Sequence, residues 1–501
     1  MSELKKKKII IIGAGISGMS AGIYALDNGY DVEIYEKHYI VGGQCTGWNR
    51  ENVFIDGCAH WVVGTNPKSQ LFPLWKHVGA FDENSIIYDT EFFAKYDING
   101  EVVTFFADLK KLEAELIRVA PEDKRQIKKF IGGIKAYQHV HVPVNKPIDM
   151  MNIFELIGFG INMLPMVFHY AIYKHTSVND YIKKFKSPIL QELFSRVISK
   201  HYNIHSLFYI MQTLSKNDAG VVEGGSRQFA FNIRDTFLKK GGKLFVNKLV
   251  KNVVIENNCA KGIALDDGKN IMGDYVIASG DIHHILRTLL QNKYDDKDFN
   301  DKLRERKDNP LNTSMLFAYK VDKDMQDYSK MINFEINPIK IAKTTIDNVT
   351  VRNHAFDTTL NKNGKTTFTV LVDVNDSVYD YYKSMSEEEY LNSKNQVGEQ
   401  IRKEIVKYFN IDENIISLID VATPVTFKRY TNAYRGSYMS FITTKRTKGL
   451  MRPGLIKGLN NFVIAGQWIM PPGGLPIALF SGKHAIIRIC KMDKKKFIDS
   501  D

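Results

Sequence analysis

Three glycines near the N-terminus, Gly13, Gly15 and Gly18, have the spacing G-x-G-x-x-G. In this spacing the first glycine permits a tight turn, the second lets the backbone approach a pyrophosphate, and the third lets a helix pack close to a strand. Farther along, Glu36 supplies a carboxylate that can accept hydrogen bonds from a ribose hydroxyl, which disfavours NADP. These residue types indicate binding of a dinucleotide. The alternative is an ordinary glycine turn.

A strand and a helix must hold these glycines in place. Residues 9–12 are consecutive isoleucines, a run typical of a strand that is buried on both faces of a parallel sheet. The residues after Gly15 predict a helix, whose N-terminus offers free N–H groups to phosphate. The stretch "DVEIYE" then predicts the next strand, which ends at Glu36. Further cofactor residues predicted from this unit are Ile16, Ser17 and Lys37.

Glycines recur at two later places in the chain. Gly42 and Gly43 suit a loop that passes close to the ribityl or pyrophosphate part of a long cofactor, although such a pair alone would also suit an ordinary turn. Near the C-terminus, a short apolar strand is followed by "PPGG" and an apolar helix, whose N-terminus suits the electron-rich edge of a flavin. Glycine-rich elements at both ends imply one cofactor that spans them, and FAD is long enough. The cofactor residues predicted here are Gly466, Gln467, Gly473, Gly474, Leu475 and Pro476.

These motifs resemble those of the FAD-dependent phytoene desaturase, carotenoid isomerase and retinol saturase family, within the amine-oxidase-like flavoprotein group. The similarity extends to "FIDGCAHW", to "VVEGGSRQFAFNIRDTFLKKGG" and to "VIAGQWIMPPGGLPIALFSGKHA", which follow one another in order. The resemblance implies that the backbone of Val250 contacts the adenine. Two positions depart from the family pattern: Gln44 replaces the arginine after the glycine pair, and Gln467 replaces the acid after the last strand.

The resemblance and the strand and helix patterns together predict an α/β fold, with a Rossmann-type FAD-binding domain and an inserted α+β substrate domain. The FAD-binding domain is predicted to comprise residues 1–85, 216–285 and 436–501. The substrate domain is predicted to comprise residues 86–215 and 286–435.

A hydrophobic helical segment is predicted at residues 150–175, "MMNIFELIGFGINMLPMVFHYAIYKH". It is nearly long enough to cross a bilayer, which takes about 20 predominantly apolar residues. Glu155, Asn162, Pro165 and His169 interrupt it, so we do not expect a true span. We expect an apolar helix pair that lines an apolar pocket or dips into one leaflet, with a plain buried helix as the alternative.

The candidate catalytic residues are those expected beside the flavin ring, namely His60, Trp61 and Trp468. His60 could exchange a proton with a substrate carbon, or it could be a hydrogen-bonded packing histidine. Trp61 and Trp468, together with Trp48, could form a wall over a flat polyene or acyl chain, or they could be core aromatics.

The predicted function is that of an FAD-dependent oxidoreductase. The resemblance implies action on carbon–carbon bonds of a long apolar substrate, such as a polyene, an isoprenoid or a fatty acyl chain, by desaturation, saturation or cis–trans isomerisation. Since no second G-x-G-x-x-G follows a predicted strand, we expect an external electron acceptor or donor wherever the net reaction is redox. The alternatives are a flavin amine oxidase and a non-enzymatic flavin-fold escort protein for prenylated partners.

The composition is that of a large soluble enzyme, with 501 residues of which 44% are hydrophobic. The net charge of +12 comes from scattered basic residues, which predicts plain solubility or contact with an anionic membrane surface rather than nucleic acid binding. Cys45, Cys58, Cys259 and Cys490 lack C-x-x-C spacing, so we expect reduced thiols and no metal site. We expect a cytoplasmic protein without a signal peptide that can lie peripherally on the inner membrane face.

Overall fold

The structure is a computed structural model that describes residues 6–58, 61–88, 91–361, 364–449 and 451–499. Its strands are β1 (Lys8–Ile12), β2 (Asp31–Tyr35), β3 (Gly47–Arg50), β4 (Val53–Asp56), β5 (Val62–Val63), β6 (Ile87–Tyr88), β7 (Phe92–Ile98), β8 (Glu101–Phe106), β9 (Ala219–Val222), β10 (Lys243–Phe245), β11 (Val250–Glu256), β12 (Cys259–Leu265), β13 (Asn270–Met272), β14 (Tyr275–Ser279), β15 (Leu311–Val321), β16 (Met331–Ile341), β17 (Thr344–Asn353), β18 (Thr366–Val374), β19 (Ile416–Ala422), β20 (Ser437–Phe441) and β21 (Phe462–Ala465).

The α-helices are α1 (Ile16–Asp27), α2 (Phe72–His77), α3 (Leu109–Val119), α4 (Lys124–Tyr137), α5 (Ile153–Asn162), α6 (Leu164–Tyr173), α7 (Val178–Ile182), α8 (Pro188–Val197), α9 (Ile204–Ser215), α10 (Gly225–Lys239), α11 (Ile282–His284), α12 (Lys297–Arg304), α13 (Ser377–Lys383), α14 (Glu387–Phe409), α15 (Pro424–Thr431) and α16 (Leu475–Met492). A single π-helical turn, Ile285–Leu289, continues α11.

A five-stranded parallel sheet has the order β10-β2-β1-β14-β21. It is buried on both faces, which explains the isoleucine run of β1. Ile9 and Ile11 pack with residues of α1, α10 and α16, whereas Ile10 packs with residues of the antiparallel sheet β11-β12-β13 on the other face. The sheet therefore joins strands from the beginning, the middle and the end of the chain.

A larger sheet has the order β19-β15-β18-β17-β16-β7-β8, and β20 also pairs with β15. Its strands are antiparallel except where β16 runs parallel to β7. One face packs on α14 in a core that includes Phe317, Val351, Val370, Ile401 and Ile405. The other face of this sheet is turned away from α14, towards the interior of the molecule.

A helical layer, formed mainly by α3, α4, α8 and α9, packs beside the β7–β8 hairpin around Phe105, Phe130, Phe194 and Phe208. Helix α6 packs against α4 and α9 of this layer, and α5 precedes α6 at a bend of 69°. Neither helix has a buried residue, so the segment predicted at 150–175 is not a plain buried helix. Within the described ranges, no single helix is long and apolar enough to cross a bilayer, although this bent pair together has the required length and composition.

The parallel sheet draws its strands from the three segments that were predicted for the FAD-binding domain. Strand β20 lies in the last of those segments but pairs with β15 of the larger sheet. A segment predicted for the FAD-binding domain therefore also contributes a strand to the larger sheet, and the predicted domain boundaries stay a prediction.

Candidate functional site

Three glycines shape the turn between β1 and α1. Two of them allow close backbone contacts, and the third leaves space beside the groove. Gly13 has a φ of +97°, and a Cβ atom there would lie 2.6 Å from the carbonyl oxygen of Ser279 on β14. A Cβ atom at Gly18 would lie 2.1 Å from the carbonyl oxygen of Gly13. At Gly15, in contrast, a Cβ atom would meet no atom within 4 Å, and the residue borders an open groove. A phosphate can therefore approach the N-terminus of α1 at Gly15.

Glu36 is buried beside this turn, just after the end of β2. Its Oε2 atom accepts a hydrogen bond from the backbone N–H of Ala14 at 2.8 Å, and its Oε1 atom accepts one from the N–H of His38 at 2.9 Å. Two backbone donors thus fix the carboxylate at the edge of the groove. Each oxygen keeps a further lone pair, which can accept a hydrogen bond from a ribose hydroxyl.

The neighbouring loops complete this end of the groove. The N–H of Gly42 donates to the carbonyl oxygen of Ala14 at 2.8 Å, which places the glycine pair against the α1 turn. The Lys37 Nζ atom donates to Asn432 Oδ1 at 2.8 Å, and burial lowers the pKa of Lys37 to about 8. Val250, at the start of β11, lies in the same wall.

The C-terminal glycine loop reaches the same groove from the other side. Gln467 donates through Nε2 to Oε1 of Gln44 at 2.9 Å, and its own Oε1 accepts from the N–H of Gly474 at 3.2 Å. Gln44 in turn donates to the carbonyl oxygen of Ser437 on β20 at 2.8 Å. A neutral pair of glutamines therefore ties the two glycine loops together at the positions where the family resemblance implies an arginine and an acid.

The groove continues into a chamber, and together they form one cavity of about 1430 Å³. Ligand pockets commonly measure about 300–1,000 Å³, so this cavity has room for a long cofactor and a second molecule. Most of the chamber wall is apolar or aromatic. The wall residues include Trp61, Phe93, Tyr96, Tyr137, Met163 and Met166.

The family model for flavin containing amine oxidoreductases matches residues 16–486 of the chain. The chain belongs to this family. As a flavin containing amine oxidoreductase family member it is an FAD-dependent oxidoreductase, and the groove fits FAD, since it presents an open phosphate approach at Gly15 and a fixed carboxylate at Glu36. The predicted α/β fold class and the predicted cofactor are confirmed.

Relatives of this flavoprotein extend over its full length. It is 21% identical over 523 residues to a 4,4'-diaponeurosporene oxygenase of Staphylococcus haemolyticus, covering 99% of this chain and 100% of the relative. It is 23% identical over 511 residues to a 4,4'-diapophytoene desaturase (4,4'-diapolycopene-forming) of Methylomonas sp, covering 98% of this chain and 97% of the relative. Among solved structures, an oxidoreductase from Methanosarcina mazei superposes with a TM-score of 0.61 at 14% identity, covering 97% of this chain and 100% of that one. At this identity the likeness shows the fold alone.

The structure brings nearly all the predicted cofactor residues of the flavoprotein to one groove, while Gly18 lies beneath the turn. Their individual contacts with FAD stay predictions. The residues that border the groove are Gly13, Gly15, Ile16, Ser17, Glu36, Lys37, Gly42, Gly43, Gln44, Val250, Gly466, Gln467, Gly473, Gly474, Leu475 and Pro476.

The predicted catalytic residues fall in different environments. His60 lies outside the described residues. Trp61 borders the chamber and packs edge-to-face on Phe93, with ring centroids 5.2 Å apart. Trp468 reaches the cavity but is 3% exposed and packs mainly on Phe299 and Phe441. The catalytic roles of these residues stay predictions.

Three polar residues of the chamber wall, Tyr202, Asn312 and Asp373, are not among the residues predicted from the sequence. Asn312 donates through Nδ2 to the Tyr202 hydroxyl at 2.7 Å. Asp373 lies on β18 with its side chain open to the chamber. The alternation in "TTFTVLVDV" places Asp373 on the opposite face of the strand from Val372 and Val374. The strand sequence alone does not indicate which of the two faces borders a cavity.

Proposed function

We propose that this flavoprotein acts on carbon–carbon bonds of a long apolar molecule, such as a polyene, an isoprenoid or a fatty acyl chain, by desaturation, saturation or cis–trans isomerisation. The observation that carries the proposal is the continuity of the glycine-lined groove with the apolar chamber in a single cavity. FAD in the groove and an apolar chain in the chamber would then meet without intervening bulk water. The relatives named for 4,4'-diaponeurosporene and 4,4'-diapophytoene support a long polyene.

Bound FAD supplies the hydride chemistry, and the protein supplies position and a dry environment. Glu36 and the N-terminus of α1 would hold the ribose and the pyrophosphate. Trp61, Phe93 and Met166 line the chamber with apolar surface, which favours entry of a hydrocarbon and excludes water. An extended hydrocarbon is thereby oriented by shape and not by charge.

The experiment that tests this function compares lipid extracts of cells with and without the gene by mass spectrometry. We expect a lipid that changes in steps of two hydrogens for desaturation or saturation, or an isomer of equal mass for isomerisation. The control is the Gly15→Glu variant, whose added carboxylate projects into the open groove and repels pyrophosphate. Identical lipid extracts from wild-type and Gly15→Glu cells would contradict the proposal.

A flavin amine oxidase is the alternative of the same fold. It predicts release of hydrogen peroxide when purified protein is mixed with small amines, and the apolar chamber wall favours a hydrocarbon instead. An escort protein without catalysis predicts that no small substrate bleaches the bound flavin. Measuring hydrogen peroxide release and flavin bleaching with amines and with apolar substrates therefore distinguishes the three functions.

We further propose that electrons pass to or from an external partner when the net reaction is redox, because the sequence has one G-x-G-x-x-G unit after a strand. An acceptor could be oxygen or a quinone. Anaerobic turnover restored by an added quinone would identify the partner class.

We also propose that the protein is cytoplasmic and contacts the inner membrane face peripherally through α5 and α6. Phe154 and Phe168 project outward with exposures of 82% and 70%. On the inner side of the same helix pair, Met163, Met166 and Tyr170 line the chamber. The two helices thus separate the chamber from the outside, which suits delivery of an apolar substrate from a bilayer.

The charge around this helix pair supports an anionic membrane surface. Lys174, Lys200 and His201 line the cavity beside α6. Neither Lys174 nor Lys200 forms an ion pair with another residue of the part of the chain that the structure describes, so both are available to lipid headgroups. The net charge of +12 acts in the same direction.

A further inference from the structure

We infer that Asp373 is a catalytic acid–base residue of the chamber, which takes up the proton that a substrate carbon loses during dehydrogenation and returns it in the reverse reaction. The inference rests on the proposed function, since it assigns a residue to that carbon–carbon chemistry. Its support comes from where the carboxyl lies and from what surrounds it.

Strand β18 presents Asp373 to the chamber by simple alternation. Val370, Val372 and Val374 point into the core beneath α14, so Leu371 and Asp373 occupy the opposite face. The Asp373 side chain lies in the cavity wall and is exposed to the cavity, at a depth where the surrounding protein raises its pKa. The carboxyl can therefore contact a molecule that fills the chamber.

Among the residues that the structure describes, the carboxyl of Asp373 is not held by a structural partner. No hydrogen bond or ion pair to it is found among residues 6–58, 61–88, 91–361, 364–449 and 451–499. Asp281 borders the same cavity but accepts hydrogen bonds from the N–H groups of Tyr434 and His284 at 2.8 and 3.0 Å, which is the usual state of a buried carboxylate. A carboxyl in a ligand cavity with a raised pKa and no such partners is typical of functional sites.

The ionisable groups that face Asp373 stay neutral, so Asp373 is the group among them that titrates near neutral pH. Tyr202, from the loop before α9, and Tyr438, from β20, lie close enough to interact with it electrostatically. Burial raises the pKa of both phenols well above their usual range, so they remain neutral. Burial raises the pKa of Asp373 to about 6. No lysine, arginine or histidine in the described ranges lies close enough to lower that pKa. A base with that pKa is ionised at neutral pH and still exchanges its proton readily.

The chemical step balances in atoms and electrons. Dehydrogenation removes two hydrogens from adjacent carbons, one as a hydride, which FAD in the groove would accept, and one as a proton. The Asp373 carboxylate accepts the proton, and the electron pair of that carbon–hydrogen bond becomes the second bond of the new carbon–carbon double bond. In saturation the same carboxyl returns the proton.

The test compares the FAD-loaded wild-type protein with Asp373→Asn, which keeps the shape and removes the acid–base function. With a polyene in vesicles we expect turnover to fall by about 10²- to 10⁴-fold while FAD content is unchanged. We also expect the limb of the kcat/KM profile near pH 6 to disappear. The matched control is Asp327→Asn in the turn between β15 and β16, which removes an exposed carboxyl outside the cavity and should leave turnover and the limb near pH 6 unchanged.

A second readout needs no substrate. The pKa of Asp373 in the folded state, about 6, lies above the value of about 3.9 in an unfolded chain. Ionisation therefore disfavours the folded state increasingly as pH rises from about 4 to 6. We expect the melting temperature of Asp373→Asn to exceed that of wild type above pH 6 and to match it near pH 4.

Two outcomes would overturn the inference. One is an Asp373→Asn variant with wild-type turnover and an intact limb near pH 6. The other is a difference in melting temperature that does not change between pH 4 and pH 8. If wild type converts no long apolar substrate but the melting difference follows pH as expected, the ionisation of Asp373 is supported and the proposed function fails.

Discussion

At the scale of single residues, the site depends on glycines that serve different purposes. Gly13 is required by its φ of +97° and by its approach to Ser279, whereas Gly15 has ordinary backbone geometry and borders the groove. The first residue is needed by the fold, and the second by the cofactor.

This difference gives a paired prediction. We expect Gly13→Ala to lower the melting temperature clearly, since the strained backbone alone costs about 1–3 kcal/mol and the added Cβ meets a carbonyl oxygen. Gly15→Ala should melt like wild type but bind FAD more weakly, because its methyl group narrows the phosphate approach. The measurements are thermal melts of the FAD-free proteins and FAD titrations. Equal melting of both variants with equal FAD affinity would contradict these roles.

Sequence reasoning at this scale works for residues whose role is local. The positions of Gly13 and Glu36 follow from one strand–turn–helix–strand unit, and the structure places both at the groove. Asp373 could not be found this way, because its exposure to the chamber depends on how β18 packs on α14. The hydrogen bond between Gln44 and Gln467 also depends on the closure of the two chain ends.

At the scale of elements, strong local patterns predicted real elements. The isoleucine run is β1, and the apolar stretch at 150–175 contains α5 and α6. The order of the larger sheet was not predictable, since the parallel pairing of β16 with β7 joins residues far apart in the chain. Such pairings are set by packing and not by local propensity.

The membrane role of the helix pair leads to a prediction at this scale. We expect wild-type protein to float with vesicles that contain anionic lipid, and the double variant Phe154→Ser and Phe168→Ser to lose most of this binding. A fully buried phenylalanine contributes about 1.5–3 kcal/mol, so each substitution should weaken binding about tenfold or more. Flotation assays at constant salt measure the effect.

The matched control for flotation is Leu391→Ser, which removes an exposed apolar side chain from α14. That variant should bind vesicles like wild type. Membrane contact through α5 and α6 would be contradicted if the double variant floats as well as wild type does.

At the scale of the whole molecule, the two chain ends close over one cavity. Strands β1 and β21 belong to the same sheet, and α1 packs against α16. This closure was predictable from the length of FAD, which must span both glycine-rich elements. The size of the chamber was not predictable, because that volume is bounded by elements of the larger sheet and of the helical layer together.

The most direct measurement is the visible absorption spectrum of the purified protein, first titrated with FAD and then, without oxygen, with a polyene in vesicles. We expect a yellow protein with one FAD per chain, whose flavin absorption changes as the polyene is added, because the two molecules share one cavity. The Gly15→Glu variant should remain colourless and serves as the control. A folded wild-type protein that takes up no FAD, or a flavin spectrum that is unaffected by every long apolar molecule tried, would contradict the shared cavity.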